Sequence, residues 1–327
     1  MRAPAFWWAE QAPAVARLLA PLGAIYGAIT ASRMRQVGQR AAVPVICIGN
    51  FTAGGAGKTQ VALALGEVLK GLGASPAFLS RGHGGSHQGA PHRVDPMRDI
   101  AALTGDEPLL LAQIAPTFVS ADRVAGAAAC EAAGAKVIIL DDGLQNPSLA
   151  KQLSLAVVDG RRGVGNGLCI PAGPLRAPLS AQWPAVDALI VIGAGTQGGA
   201  LATQARQRGK AVFEASIEPD QVTAADLKGQ RVLAFAGIGD PSKFYTTLRT
   251  LGAQVMGTRD FDDHHAFSNE ELTSLRKTAA DLGARLVTTQ KDLMRISDRN
   301  GIEAVPVTLV FAEPQVFASY VTDKIGL

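Results

Sequence analysis

The amino-acid sequence predicts an α/β fold in which helices cover both faces of a mostly parallel sheet. Two observations support this prediction. After residue 40, short apolar runs of strand length alternate with alanine-rich stretches of helix length. Several apolar runs end in charged or glycine-rich segments, as parallel strands do when ligands bind at their carboxyl ends. A smaller α/β domain is expected at the C-terminus and an amphipathic helix at the N-terminus.

The composition is that of an ordinary globular protein. The chain has 327 residues, of which 47% are hydrophobic and 18% charged, enough to bury a full core and to form two domains. The net charge of +3 is too small to indicate nucleic acid as a partner. The three cysteines lie far apart without a CxxC spacing, so neither a disulfide framework nor a zinc site is predicted. We expect a monomer in a reducing compartment.

We predict three segments, 1–40, 41–225 and 226–327. The polar stretch around 216–230 separates the second from the third. The strands predicted in the larger domain are 45–48, 77–80, 117–120, 137–140, 155–158 and 189–192. The strands predicted in the smaller domain are 232–236, 255–258, 285–288 and 305–311.

The N-terminal segment combines positive charge with an apolar helical face. Residues 1–40 contain five arginines and one glutamate, and an aromatic cluster occupies 6–8. Apolar residues recur with the spacing of one helical face: Val15, Leu18, Leu19, Leu22, Ile25, Tyr26 and Ile29. The uncharged run 18–32 is shorter than the ~20 residues that span a bilayer. The pattern favours a helix lying in an anionic membrane surface, and a helix that only packs on the nucleotide domain is the alternative.

A glycine-rich loop follows the first predicted strand, in the sequence VPVICIGNFTAGGAGKT. Glycines let successive N–H groups converge on phosphate oxygens. Lys58 can then reach the β and γ phosphates and Thr59 can ligate Mg²⁺, at the start of a helix predicted over 59–70. Thr52 stands where the common motif has glycine, and a turn without a ligand is the alternative. The expected phosphate-binding residues are Thr52, Ala53, Gly54, Gly55, Ala56, Gly57, Lys58 and Thr59.

Two acids, Asp141 and Asp142, follow the buried run 137–140. An apolar strand that ends in an acid is the Walker B pattern, in which the acid holds Mg²⁺ directly or through water. An Asp that only caps the next helix gives the same pattern. The glycine-rich loop upstream favours the metal-binding interpretation.

Three further polar segments lie where apolar strands or helices meet loops. The loop 80–85 contains Arg81 and either presents a basic surface to an anionic substrate or is a plain surface loop. Asp106 and Glu107 precede an apolar helix, where they either cap it or supply a base for a hydroxyl group. The rigid turn 171–176 ends in Arg176, whose guanidinium could stabilise charge on a transferring phosphoryl group.

The order of these motifs resembles that of the tetraacyldisaccharide 4′-kinases of lipid A biosynthesis. The resemblance covers nearly the whole chain. It rests on GNFTAGGAGKT, SRGHGG, GDEP, SADR at 120–123, DDGLQN at 141–146, PAGPLR, AFAGIGDPSKF, DHH at 263–265 and TTQKD at 288–292. In this family the irregular loop that begins Gly49-Asn50 is the normal form, so Thr52 fits the family pattern.

The resemblance implies ATP and Mg²⁺ as cofactors. The implied reaction transfers the γ-phosphoryl group to the 4′-hydroxyl of a tetraacylated glucosamine disaccharide 1-phosphate, giving lipid IVA. Lys58 and Thr59 would hold the ATP phosphates and Mg²⁺, and Asp141 with Asp142 would complete the metal site. The implied partners are the glycolipid substrate and the anionic inner-membrane surface. The implied location is the cytoplasmic face of that membrane, peripheral or monotopic.

The resemblance also assigns roles in the transfer step. Asp106 would accept the sugar hydroxyl proton, paired with His264 from the second domain, and Arg176 would act on the transferring phosphate. Contacts are implied for Gln145 with the nucleotide and for Glu107, Arg81 and Arg123 with the substrate. The chain departs from the family pattern at Asn146, Ala177, His83 and Gln290.

The sequence argues against two other functions. A P-loop GTPase normally shows NKxD for guanine recognition, whereas Lys291 and Asp292 are adjacent here. A non-catalytic, membrane-attached nucleotide-binding module would not require so many polar motifs at strand ends. We therefore expect an active kinase.

Overall fold

The structure is a computed structural model that describes residues 3–9 and 12–327. The helices in this part of the chain are α1 (Ala14–Met34), α2 (Lys58–Gly71), α3 (Ala101–Thr104), α4 (Asp106–Leu111), α5 (Arg123–Ala132), α6 (Leu179–Gln182), α7 (Thr196–Gln207), α8 (Gln221–Leu227), α9 (Pro241–Thr250), α10 (Asn269–Asp281), α11 (Gln290–Leu293) and α12 (Pro314–Ile325). The strands are β1 (Val45–Gly49), β2 (Pro76–Ser80), β3 (His92–Arg93), β4 (Thr117–Val119), β5 (Val137–Asp141), β6 (Leu153–Asp159), β7 (Ala188–Ile192), β8 (Ala211–Pro219), β9 (Arg231–Ala236), β10 (Gln254–Asp260), β11 (Arg285–Thr289), β12 (Ile302–Val305) and β13 (Val307–Phe311).

The larger sheet has nine strands in the order β13-β8-β7-β6-β1-β5-β2-β4-β3. Only its two edge pairs, β13 with β8 and β3 with β4, are antiparallel. Buried side chains of α2 and α12 pack on one face, and side chains of α5 and α7 pack on the other. The predicted α/β fold with a mostly parallel sheet is confirmed. We call this sheet with its helices the large lobe.

A second, four-stranded sheet is parallel throughout and has the order β10-β9-β11-β12. Side chains of α8 and α9 pack on one face, and side chains of α10 and α11 cover the other. Ser268 and Glu271 form a reciprocal capping box at the start of α10, which satisfies two backbone N–H groups. We call this sheet with α8–α11 the small lobe.

The chain crosses between the lobes twice, and the second crossing differs from the predicted boundary. The predicted strand 305–311 is two strands, because Pro306 lacks an N–H group and interrupts the ladder. β12 lies in the small lobe, whereas β13 pairs with β8 in the large sheet. Residues 307–325 therefore belong to the large lobe, not to the smaller C-terminal domain predicted over 226–327.

The two crossings lie side by side. The Asp220 N–H donates to the Pro306 carbonyl at 3.0 Å. β8 was missed in the sequence because it alternates apolar residues with Glu214, Ser216 and Glu218, as an edge-region strand does. The polar stretch predicted to be a boundary is thus partly strand.

Helix α1 turns its small residues toward the protein. Its buried positions are Ala16, Gly23, Gly27 and Ala31. A Cβ at Gly23 would come within 2.6 Å of the Cys169 carbonyl oxygen, so only glycine permits this close approach. The predicted apolar face points away, with Leu18 80% exposed. Among the described residues, α1 is the one helix long and apolar enough to cross a bilayer.

The aromatic cluster ahead of α1 docks on the protein. The Trp7 indole N–H donates to the Pro171 carbonyl at 2.9 Å. The Arg162 guanidinium carbon lies 5.0 Å from the centre of the Trp8 ring. Both tryptophans are half-buried against the segment that leads to Arg176, rather than free to lie among lipid headgroups.

Candidate active site

The glycine-rich loop lies at the centre of the large sheet, at the carboxyl end of β1. β1 lies between β5 and β6 in the sheet, and the strand order runs in opposite directions from these central strands. Such a reversal of strand order opens a crevice in α/β sheets. Gly57 adopts φ of 92° immediately before α2. Added Cβ atoms at Gly54 and Gly55 would meet no described atom within 4 Å. The loop therefore borders open space in which phosphates fit.

Thr52 pairs with the segment just before Arg176 and lies ahead of the curled, glycine-rich part of the loop. It forms an antiparallel bridge with Leu175 and is 6% exposed. The Ala53 N–H donates to the Pro174 carbonyl at 2.7 Å, and the Arg176 N–H donates to the Phe51 carbonyl at 3.0 Å. An extended, paired residue has no need of glycine. Residues 51–53 are thus hydrogen-bonded to the turn 171–176, and this pairing fixes the position of the Arg176 backbone.

Lys58 is held at the mouth of the loop by two groups. Its Nζ donates to Asn50 Oδ1 at 3.3 Å and lies 3.6 Å from Asp142 Oδ2. Asp142 has φ of 55°, an uncommon conformation for a residue with a side chain. Burial opposes the ionisation of Asp142, but Lys58 and Arg176 together outweigh it and lower the pKa of Asp142.

Arg176 and Gln145 complete this cluster. Arg176 binds Asp142 in a bidentate pair, with distances of 2.6 Å and 2.9 Å. Gln145 accepts a hydrogen bond from Arg176 at 3.3 Å and donates to the Asn50 carbonyl at 2.8 Å. The structure thus brings the predicted residues Lys58, Asp142, Arg176 and Gln145 together.

Asp141 is the buried member of the acidic pair. It is 2% exposed, and its Oδ1 has no hydrogen-bond partner among the described residues. Burial, and then the negative charge of Glu107, raise the pKa of Asp141 well above its ordinary value. An orphaned carboxylate oxygen beside a second acid fits a hard cation such as Mg²⁺. The described residues hold no cluster of three His, Cys, Asp or Glu side chains suited to a metal.

Glu107 connects the glycine-rich loop to the small lobe. The Thr59 hydroxyl donates to Glu107 Oε1 at 3.1 Å, and Lys291 Nζ donates to the same oxygen at 2.7 Å. Burial opposes the ionisation of Glu107, but Lys291 outweighs it and lowers the pKa of Glu107. Glu107 therefore lies beside the loop and joins the two lobes.

Asp106 lies at the first residue of α4 and meets His264 of the small lobe. Its Oδ2 is 3.2 Å from His264 Nδ1, and its Oδ1 accepts from the Glu107 N–H at 3.0 Å. Burial opposes ionisation of Asp106, but His264, Lys291 and Arg295 outweigh it and lower its pKa to about 2. The contact with Asp106 raises the pKa of His264 above 6.5. The two groups predicted to share a proton are in contact.

The loop 82–85 packs backbone to backbone on the start of α4. A Cβ at Gly82 would lie 2.9 Å from the Thr104 carbonyl oxygen, and a Cβ at Gly105 would lie 2.6 Å from the His83 carbonyl oxygen. Both glycines have positive φ. The His83 ring lies 5.6 Å from the His264 ring, centre to centre. This packing holds the loop next to Asp106.

The two arginines predicted to contact substrate differ in exposure. Arg81 is exposed at the end of β2. Arg123 is 3% exposed, and its Nη1 donates to the Ser120 carbonyl at 2.6 Å. Burial, only partly offset by the charge of Asp141, lowers the pKa of Arg123. Arg81 is accessible to a ligand, whereas Arg123 is buried near Asp141.

Sequence patterns missed several residues of the site. Asn50 and Gln182 organise the loop through Lys58 and Gln145. Arg295 lies 3.3 Å from Asp106 Oδ2. No motif marks Arg295, because it meets Asp106 only through the contact between lobes. Gln290, a departure from the family pattern, accepts from the Val307 N–H at 3.4 Å, outside the site.

The fold and the site define a class of protein, the P-loop phosphotransferases. A glycine-rich loop, a lysine, two acids and an arginine converge at the carboxyl edge of a parallel sheet. A family model described as LpxK, tetraacyldisaccharide-1-P 4′-kinase, matches residues 15–326. The chain belongs to the tetraacyldisaccharide 4′-kinase family.

Relatives match over almost their full length. A tetraacyldisaccharide 4′-kinase of Methylobacterium sp. (strain 4-46) is 56% identical over 312 residues, which cover 95% of this chain and 94% of the relative. One of Methylobacterium radiotolerans is 54% identical and covers 100% of this chain and 99% of its own. A crystal structure of the "apo" form of LpxK from Aquifex aeolicus in complex with ATP has a TM-score of 0.75 and 25% identity, and covers 95% of this chain and 99% of that chain.

Proposed function

We propose that the chain transfers the γ-phosphoryl group of ATP to the 4′-hydroxyl of a tetraacyldisaccharide 1-phosphate and so forms lipid IVA. The observation that carries the proposal is the environment of Asp106. Its Oδ2 is buried, lacks an aligned hydrogen-bond donor among the described residues, and faces His264 at 3.2 Å. The next residue, Glu107, contacts Thr59 of the glycine-rich loop. A hydroxyl group presented there would have a proton acceptor beside the phosphate-binding loop.

The glycine-rich loop, Lys58 and Thr59 would hold the ATP phosphates. Thr59, Asp141 and Asp142 would hold Mg²⁺, which supplies neutralisation of negative charge on the phosphates. Lys58 already lies between Asn50 and Asp142, so its ammonium group is oriented before ligands bind. Such orientation lowers the cost of reorganisation during the reaction.

The Asp106–His264 pair would accept the hydroxyl proton. A carboxylate with a pKa of about 2 is a weak base by itself, whereas proton acceptors work best with a pKa near the operating pH. His264 has a raised pKa and can hold the proton when its imidazole is neutral. Asp106 would align the hydroxyl group, and His264 would retain the proton.

Arg176 would stabilise the charge on the transferring phosphoryl group. Its guanidinium is already held by Asp142 and Gln145, and the turn that carries it is paired with Thr52 through Leu175. A planar, permanently charged group suits several phosphate oxygens at once. Glu107 and Arg81 would contact the substrate, and the small lobe would keep His264 against Asp106 while the lobes are closed.

Helix α1 would hold the enzyme at the anionic inner-membrane surface, on the cytoplasmic face. Its small residues pack on the protein and its large apolar residues face outward, an arrangement that buries the outer face in lipid. Arg17 and Arg33 flank that face and would meet anionic headgroups. The acyl chains of the substrate could then stay in the bilayer while the sugar reaches the lobe boundary.

A phosphate-transfer assay tests the proposal. Full-length protein in detergent micelles is given radiolabelled ATP, Mg²⁺ and tetraacyldisaccharide 1-phosphate, and labelled lipid is counted. We expect transfer by the wild type and a loss of about 10²–10⁴-fold in Asp106→Asn, with ATP binding retained. Asp99→Asn is the matched control, since Asp99 pairs with His92 at 2.6 Å outside the site.

The possible results separate the parts of the proposal. A wild-type protein that binds ATP but labels no lipid would exclude the kinase activity and leave a nucleotide-binding module. Full activity of Asp106→Asn would exclude only the role of Asp106. Equal losses in Asp106→Asn and Asp99→Asn would point to a general effect on folding.

A further inference from the structure

Arg295 follows α11 in the small lobe, and its side chain is 6% exposed. Its Nη2 donates to Asp292 Oδ1 at 2.6 Å and to the Gly237 carbonyl at 2.9 Å, and its Nη1 donates to the His265 carbonyl at 3.2 Å. The guanidinium carbon lies 5.8 Å from the centre of the Phe267 ring. These contacts fix the guanidinium in one orientation.

The remaining nitrogen of Arg295 faces the large lobe. Nε lies 3.3 Å from Asp106 Oδ2, the oxygen that also lies 3.2 Å from His264 Nδ1. Neither Nε nor Oδ2 has an aligned hydrogen-bond partner among the described residues. The contact is therefore electrostatic, and it leaves a lone pair of the buried Oδ2 without a hydrogen-bond donor.

Gly237 connects Arg295 to the backbone of His264. The Gly237 carbonyl accepts from Arg295 Nη2 at 2.9 Å and from the His264 N–H at 3.1 Å. His264 has φ of 60°, which costs energy for a residue with a side chain and requires support from its surroundings. Arg295 thus contacts the carboxylate of Asp106 directly and supports the turn of His264 through one carbonyl group.

We propose that Arg295 is a positioning residue for phosphoryl transfer, which holds the Asp106 carboxylate and the His264 turn in the relation that proton acceptance requires. The inference rests on the proposed function. Arg295 belongs to one lobe and Asp106 to the other, so the relation exists only while the lobes are in contact. Arg295 acts through these two residues and need not touch the substrate.

The charged groups around Asp106 determine how the loss of Arg295 changes proton binding by Asp106 and His264. The charged and titratable groups facing Asp106 are Glu107, His264, Lys291, Asp292 and Arg295. His264 is also faced by Asp263 at 3.8 Å and by the His83 ring. Without Arg295, one nearby cation is lost, and both Asp106 and His264 bind protons more readily. The pH below which activity falls should therefore rise.

The experiment compares Arg295→Met and Arg295→Lys with the matched control Arg162→Met in the micelle assay. Arg162 also joins the lobes, through Asp240 at 2.7 Å, and within the described part of the chain it forms no hydrogen bond or ion pair with Asp106. In Arg295→Met we expect a fall in kcat of about 10- to 100-fold, an unchanged KM for ATP, and an acidic limb of the pH profile shifted to higher pH. Arg295→Lys should recover part of kcat, and Arg162→Met should keep the wild-type limb.

Several outcomes would overturn the inference. If Arg295→Met and Arg162→Met lose the same activity and neither moves the acidic limb, Arg295 only joins the lobes. If wild type transfers phosphate and Arg295→Met is equally active, the role of Arg295 fails while the kinase proposal stands. If Arg295→Met does not fold, Arg295→Met/Asp292→Asn leaves no unpaired buried charge and is measured in its place. The same fall in kcat with an unchanged KM for ATP is then expected, whereas the acidic limb should stay near its wild-type pH because a positive and a negative charge are removed together.

Discussion

The phosphate-binding half of the site and its proton-accepting half are built in different ways. Lys58, Asp142 and Arg176 all belong to the large lobe and are joined by direct contacts. Asp106 and His264 come from different lobes and meet at 3.2 Å. The first half is formed when one sheet folds, whereas the second also requires the lobes to be in contact. Phosphate binding and proton acceptance should therefore respond differently to substitution and pH.

The substitution expected to change both rate and ATP affinity is in the phosphate-binding half. Lys58→Met removes the cation that lies between Asn50 and Asp142, and loss of one such group costs about 10²–10³-fold in rate. Because the group touches ATP in the proposed site, both kcat and ATP affinity should fall. Steady-state transfer kinetics and a nucleotide-binding titration measure the two quantities.

Lys70→Met is the matched control for Lys58→Met. Lys70 lies on the same helix and pairs with Glu67 on the surface at 3.6 Å, where such pairs contribute little. It should behave as wild type. Retained ATP affinity in Lys58→Met would contradict the assignment of Lys58 to the phosphate-binding half.

The phosphate-binding half was largely predictable from sequence because its residues belong to continuous motifs. Lys58 and Thr59 end a glycine-rich loop, and Asp141 and Asp142 end a buried strand. Their neighbours in space follow from the rule that parallel strands share a carboxyl edge. Sequence patterns did not identify the residues that hold these side chains in place. Asn50 contacts Lys58, and Gln182 contacts Gln145, and no local spacing in the sequence predicts these contacts.

The second half was predictable only through the family resemblance. Asp106 by itself reads as a helix cap, and His264 lies 158 residues further along the chain. Arg295 joins them through a contact between lobes. The return of β13 to the large sheet was missed for a similar reason, because Pro306 splits a run that reads as one strand.

A smaller effect is expected from His264→Gln. The change removes the imidazole that holds the proton but leaves the phosphate-binding half intact, so kcat should fall about 100-fold while ATP affinity stays unchanged. The matched control is His92→Gln, which alters the Asp99–His92 pair outside the site. A loss of ATP affinity in His264→Gln would mean that the two halves are not independent.

The pH dependence should separate the halves as well. Because Asp106 raises the pKa of His264 above 6.5, the imidazole becomes charged as the pH falls through that raised value and can no longer accept a proton. The value of kcat/KM should then fall about tenfold per pH unit. In Asp106→Asn, the residual activity should show this acidic limb of the pH profile at lower pH, because the carboxylate that raises the pKa of His264 is gone. If the limb does not move, a group other than His264 causes it.

The contact between Asp106 and His264 should also make the folding stability depend on pH. A histidine whose pKa is raised in the folded state stabilises the fold at pH below its unfolded pKa. That contribution is lost as the pH rises through the folded value. Denaturant unfolding of wild type and His264→Gln should therefore differ more below pH 6.5 than above the raised pKa. An equal difference at all pH values would contradict the linkage.

The smallest effect on chemistry is expected from helix α1, which belongs to neither half. Leu18→Ser with Leu22→Ser reduces the outward apolar face, where the two side chains are 80% and 57% exposed. Lost burial of this area in lipid should weaken binding to anionic vesicles about tenfold. Transfer in micelles should keep its kcat, because the inward face on Cys169 is unchanged. Vesicle sedimentation and the micelle assay measure the two outcomes.

Val316→Ser is the matched control for the helix variant. Val316 is 53% exposed on α12, so its change removes exposed apolar area elsewhere on the large lobe and should leave vesicle binding unaltered. Equal weakening by both changes would show that surface hydrophobicity in general, and not α1, holds the chain to lipid. A large fall in kcat for the helix variant in micelles would show instead that α1 acts on Arg176 through the docked segment 160–176, and the phosphate-binding half would then extend to the membrane helix.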